Sequence, residues 1–80
     1  MSIEEFAEYL VTNIAKEPDL VKVKRFETEE GNILEVLVSE SDMPRVIGKQ
    51  GAVASSIKTL VQAKAYNDGI KNIKINIDSF

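Results

Sequence analysis

The 80-residue sequence predicts an α+β domain in which a three-stranded mixed sheet carries helices on one face. Three observations lead there. Apolar residues recur at helical spacing near the start and again after residue 51. Two alternating, β-rich runs lie next to each other between those helices. A third such run, around Ile73, Ile75 and Ile77, follows the second helical stretch. Neighbouring strands joined by a short loop pair antiparallel, and a strand reached through a helical crossover can run parallel, so the sheet should be mixed.

The first element is a helix, because Ile3, Phe6, Ala7, Leu10, Val11 and Ile14 form one stripe. Ser2 with Glu5 fits a capping box, Glu4, Glu5 and Glu8 suit its start, Lys16 suits its end, and Pro18 stops it. Strands are expected over Leu20 to Phe26 and Ile33 to Ser39, the second with Leu34, Val36 and Val38 on one face. Glu27 to Asn32 between them reads as a polar hairpin loop ending in Gly-Asn. Ser41 or Asp42 can cap a short helix with Pro44 in its first turn, which Gly48 breaks. A long helix follows Gly51, with Val53, Ile57, Leu60 and Val61 as its apolar stripe, and Gly69 closes it as a left-handed residue. The whole of residues 1–80 reads as one domain.

Composition excludes several function classes. With no cysteine and no histidine, thiolate metal sites, Ser-His and Cys-His pairs, and histidine ligation or general-base chemistry are missing. Glu29-Glu30 is a carboxylate pair, but a polar loop offers it no pocket, so a binding protein rather than an enzyme is expected. The start is acidic without a signal-like apolar core, and no run reaches membrane-span length, so the expected location is the cytoplasm with no membrane partner. The net charge of −3 hides an asymmetry. Residues 1–42 hold eleven acids and four bases, net −7, whereas residues 43–80 hold six bases and two acids, net +4. Such asymmetry is a cue to a polyanionic partner.

The basic part contains Gly48-Lys49-Gln50-Gly51 between two predicted helices. Two glycines permit a tight turn with exposed backbone. The next helix starts there, so its free N–H groups and positive dipole end face whatever lies over the turn, and Lys49 adds a formal charge. A phosphodiester suits that arrangement, although a bare G-x-x-G also serves as a plain helix–helix turn. The Walker pattern is excluded, since Met43 and Gln50 stand where it needs Gly and Ser or Thr.

The element order, together with Arg45-Val46-Ile47-Gly48-Lys49-Gln50-Gly51 and Ile57-Lys58-Thr59-Leu60-Val61, resembles a KH domain. In that family a GXXG loop joins two helices and clamps about four nucleotides. The helix-first order is similar to the type II arrangement, and the length and motifs are similar to small single-domain bacterial KH proteins of the KhpA type. The resemblance implies single-stranded RNA as partner, no cofactor and no metal. It implies a phosphate clamp at Gly48, Lys49, Gln50 and Gly51, with Arg45 and Lys58 as basic neighbours. Val46 and Ile47 match the apolar wall of the nucleotide groove, or equally the core, with Leu37 to Ser39 opposite. Ala52 and Ser55 stand where the resemblance implies basic residues. It also implies a homodimer, a heterodimer with a larger Jag-type KH protein, and an RNA-chaperone or regulatory role in growth and division. The alternative is a KH shape that serves mainly as a protein dimerisation module.

Overall fold

The computed structural model describes all residues, 1–80. Three α-helices, α1 (Ile3–Thr12), α2 (Met43–Ile47) and α3 (Ala52–Asn67), and three strands, β1 (Lys22–Thr28), β2 (Gly31–Val38) and β3 (Ile73–Ser79), follow the order α1-β1-β2-α2-α3-β3. The sheet order is β1-β2-β3, with β1 antiparallel and β3 parallel to the central β2. The expected mixed sheet and helix-first order are therefore both present. No helix is long and apolar enough to cross a membrane.

The core lies between the sheet and the helices. Leu34, Val36 and Val38 of β2 and Ile73 and Ile75 of β3 meet Ile3, Ala7 and Val11 of α1 and Ile57, Val61 and Ala65 of α3. All the buried sheet residues belong to one face, which leaves the other without a helix. The capping box at the start of α1 is formed. Ser2 Oγ accepts the N–H of Glu5 at 3.1 Å, and Glu5 Oε1 accepts the N–H of Ser2 at 2.9 Å.

Four details differ from the sequence expectations. Helix α1 ends at Thr12, before Lys16, and the N–H groups of Lys16 and Glu17 bond to the Asp42 carboxylate instead of continuing the ladder. Leu20, expected to open the strand, instead ends a 3₁₀ turn that begins at Pro18, so β1 starts two residues later. Gly31 and Asn32 belong to β2, and Glu29 and Glu30 alone make the turn. Gly31 is required there by crowding. Its φ is +140°, and a Cβ would lie 2.4 Å from the carbonyl oxygen of Asn72, whose segment crosses at that point. Leu60 is 49% exposed, because the buried stripe of α3 is Ala54, Ile57, Val61 and Ala65.

The end of α3 follows the expected pattern. Gly69, at φ +76°, donates to the carbonyl of Tyr66, and Ile70 reaches back to that of Ala65, so two terminal carbonyls are satisfied.

Candidate nucleic-acid interface

Helix α2 is short because Gly48, at φ 77° and ψ 179°, leaves helical space after one turn. That backbone region is open essentially to glycine alone. A side chain is also excluded by packing, since a Cβ on Gly48 would lie 2.8 Å from Cβ and 2.9 Å from the backbone nitrogen of Val53. Gln50 (φ 55°, ψ 29°) and Gly51 (φ 76°, ψ 11°) are then both left-handed, which turns the chain into α3. The N–H of Gly51 bonds back to the carbonyl of Gly48 at 3.2 Å, so the turn is tied internally.

This geometry leaves Lys49 and Gln50 exposed at the tip. Helix α3 has no side-chain cap and no acid in its first turn. Its positive dipole end therefore faces the turn without a neutralising carboxylate. Beside the turn runs a cavity of about 580 Å³ lined by Ile47, Gly51, Ala54, Ser55, Lys58, Thr59 and Gln62. Gln62 Nε2 donates to the carbonyl of Ile73 at 2.9 Å, which ties α3 to the outer strand β3 at the far end of this cavity. A carbonyl can only accept, so this bond also fixes which way the Gln62 amide points.

The structure separates the residues singled out from the sequence. Ile47, Gly51 and Lys58 line the cavity. Gly48 shapes the turn, and Lys49 and Gln50 crown it. Arg45 is exposed on α2. The Lys16 and Glu17 N–H groups, then the Ser39 hydroxyl and last the Arg45 charge, hold the Asp42 carboxyl below the usual carboxylate range. Val46 is fully buried in the core and does not line the cavity. Leu37 to Ser39 do not line the cavity. Strand β2 is central, Val38 and Ser39 are buried, and the strand that Gln62 of the cavity wall bonds to is β3. Ser41 and Asp42 do not cap α2 either, because the Asp42 carboxylate turns toward the segment after α1.

Sequence reasoning missed Ala54, Thr59 and Gln62 as cavity residues, and noted Ser55 only as a non-basic position. The signal was available. Gly51, Ser55, Lys58, Thr59 and Gln62 recur at helical spacing on the face of α3 away from Ile57 and Val61.

A cleft at the opposite end of the molecule, about 430 Å³ between the β1–β2 turn and Gly69 to Asn72, gathers Arg25, Glu27, Asn32 and Lys71. Arg25 Nη2 reaches Asn32 Oδ1 at 3.2 Å and Glu27 Oε1 at 3.6 Å, while its Nε is buried without a partner.

Comparison with known proteins identifies the family and the fold. Residues 4–77 match the family model described as KhpA/KhpB, KH domain. The RNA-binding protein KhpA of Clostridium perfringens is 39% identical over 69 residues, covering 86% of this chain and 92% of that protein. The RNA-binding protein KhpA of Caldanaerobacter subterraneus is 43% identical over 63 residues, covering 74% of this chain and 84% of that protein. Among solved structures, Era of Aquifex aeolicus bound to GDP and AlF4⁻ superposes with a TM-score of 0.71 at 20% identity, over 98% of this chain and 30% of Era. That likeness concerns the fold, and the chain spans under a third of Era. With nearly its whole length matched and the helix-first α+β fold in place, the chain belongs to the KhpA/KhpB family of KH domains.

Proposed function

We propose that this chain is a single-stranded RNA-binding module, with phosphates held over Gly48–Gly51 and bases lying in the cavity along α3. The carrying observation is the placement of that turn, which opens directly onto a cavity with Lys58 at one wall and apolar Ile47 and Ala54 at others. Exposed glycine backbone and Lys49 suit phosphate oxygens, and an apolar wall suits base faces. The relatives' names as RNA-binding proteins support the same reading. One clamp touches few phosphates, so affinity is modest and salt-sensitive. The role that kinship supports is that of a cytoplasmic RNA chaperone or post-transcriptional regulator linked to growth and division, with no catalysis of its own.

The test is Lys49→Asp combined with Gln50→Asp. Both side chains are exposed, so the fold is retained. The parent binds a random single-stranded RNA pool with affinity that falls as salt rises, and the double variant loses at least about tenfold. Equal binding by the folded variant overturns the clamp.

A second reading, a KH shape acting mainly as a dimerisation module, is favoured by Leu60, half-exposed on α3, and by uncharged Ala52 and Ser55 beside the turn. On that reading a second copy, or a larger Jag-type KH protein, covers Leu60, and the loop variant leaves assembly unchanged.

A further inference from the structure

The helix-free face of the sheet carries residues that neither the clamp nor the core uses. Strand register places Phe26, Ile33 and Lys74 in one row across the three strands. Lys24 lies in the next row, directly opposite Glu35, and Lys22 lies in the row after it, together with Asp78. Phe26 is 46% exposed. Residues two apart on a strand are separated by about 7 Å and neighbouring strands by about 4.8 Å, so Lys24 and Lys74 both come within side-chain reach of the Phe26 ring.

Charge on an edge strand has a generic use, since it discourages pairing with another chain. That accounts for Lys22 and Lys24 on β1. It accounts equally for Lys74, since β3 is the other edge of the sheet, but not for an exposed phenylalanine beside these lysines. The three lysines share the face with three carboxylates, Glu35, Asp78 and Glu30, the last from the β1–β2 turn beside Lys74. Asp78 Oδ1 also accepts the N–H of its neighbour Ser79 at 2.8 Å. The face is thus close to neutral in a chain of net charge −3, with Lys24 and Lys74 placed around Phe26. Its area argues against a stable dimer formed through it alone. Seven residues by three strands give about 330 Å², under half of the roughly 800 Å² per partner of a standard interface.

An aromatic ring on a flat, solvated sheet with lysines on either side matches the requirements of single-stranded nucleic acid, namely a stacking surface and cations for the flanking phosphates. We infer that the helix-free sheet face is a second contact surface for single-stranded RNA, with a base stacked on Phe26 and its flanking phosphates held by Lys24 and Lys74. The inference rests on the RNA-binding reading above but assigns a separate surface, so the chain engages more RNA than one clamp of about four nucleotides.

The experiment compares single-stranded RNAs of about four and about 20 nucleotides on the full chain. Phe26→Ala weakens binding of the longer RNA about tenfold and leaves the shorter unchanged, while Phe26→Tyr keeps parental affinity. Lys24→Gln with Lys74→Gln lowers the salt slope on the longer RNA by about 1.4, that is about 0.7 for each phosphate that is no longer neutralised. The loop variant Lys49→Asp/Gln50→Asp weakens both RNAs. If the folded sheet variants bind the longer RNA as the parent does, or weaken both lengths equally, the second surface is overturned and the clamp stands. If the loop variant loses nothing while the sheet variants weaken the longer RNA, the clamp falls and the sheet surface stands. If the sheet variants change only self-association, measured by sedimentation, the face belongs to a protein partner and the inference is overturned.

Discussion

The carboxylate of Asp42 holds the backbone of Lys16 across 26 residues of sequence, with Oδ1 accepting the Lys16 N–H at 2.9 Å. Oδ2 accepts the N–H of Glu17 at 3.0 Å, and Ser39 Oγ donates to it at 3.2 Å. Asp42 is 1% exposed and immediately precedes α2, so one side chain ties the segment after α1 to the start of the element that leads into the glycine turn. The N–H groups of Lys16 and Glu17, aided by Ser39 and Arg45, hold its carboxyl below the ordinary value of 3.8 against the opposing effect of desolvation.

A depressed native pKa adds stability that is fully present above the ordinary Asp value. It is lost as pH falls from about 4 through the lower native pKa. Asp42→Asn is therefore expected to lower the melting temperature at pH 7 and to flatten the acid response. The melting curves of parent and variant converge as pH drops. Glu5, also lowered by its bonds to Ser2, loses its contribution in both proteins and cancels in the difference. Thermal unfolding by circular dichroism from pH 7 to pH 3 checks this. A constant gap between the two proteins at every pH would show that the charge on Asp42 contributes nothing.

The two glycines of the turn, Gly48 and Gly51, should respond differently to a methyl group. At Gly51 a Cβ meets nothing within 4 Å, so Gly51→Ala carries only left-handed strain, about 1 kcal/mol. At Gly48 the new Cβ meets the backbone and branched side chain of Val53, which cannot swing away. The cost of Gly48→Ala should exceed about 2 kcal/mol, within the range known for strained overpacking, about 1–3 kcal/mol plus backbone strain. Urea denaturation of both variants measures the order, and Gly51→Asn should recover part of the Gly51→Ala loss because Asn tolerates left-handed backbone.

Much of this architecture is legible in the residues themselves. Leu34, Val36 and Val38 alternate because one sheet face is buried, and all three are fully inaccessible. Gly69 ends α3 in the conformation its position implies. What is hidden depends on distant chain. Gly31 reads as a turn glycine, and only the passage of Asn72 shows that it is needed for close approach. Asp42 reads as a cap, because nothing local reveals that Lys16 and Glu17 will present their N–H groups to it. The turn of the candidate site is local and therefore visible, whereas the cavity wall is a helix face whose role follows from which face packs inward. Val46 and Ile47 are adjacent in sequence and end on opposite sides of that division.

The same division separates Leu60 from Ile57. Ile57 is 3% exposed and Leu60 49%, although both fit an apolar stripe. Ile57→Ala should cost about 3 kcal/mol, as buried large-to-small changes do, a substantial share of a small domain's stability. Leu60→Lys should stay within about 0.5 kcal/mol of the parent, as surface changes do. If a second copy covers Leu60, sedimentation of Leu60→Lys shows loss of the dimer while RNA binding by the clamp persists.

Ser55 offers a gain-of-function test of the cavity. It lines the wall one turn into α3, on the face that carries Lys58 and Gln62, and it is exposed. Lysine is a better helix former than serine, so Ser55→Lys should fold at least as well as the parent. A phosphate seated over Gly48–Gly51 lies near the first turn of α3, within reach of a long basic side chain at that position. One more neutralised phosphate steepens the salt dependence on single-stranded RNA by about 0.7. Ser55→Lys is thus expected to tighten binding several-fold at low salt, with the advantage shrinking as salt rises. Ser56→Lys, on a position of α3 that does not line the cavity, should show neither effect. Equal gains from the two lysines would mean that RNA responds to net charge alone. A gain confined to Ser55→Lys places the phosphates along this wall of α3.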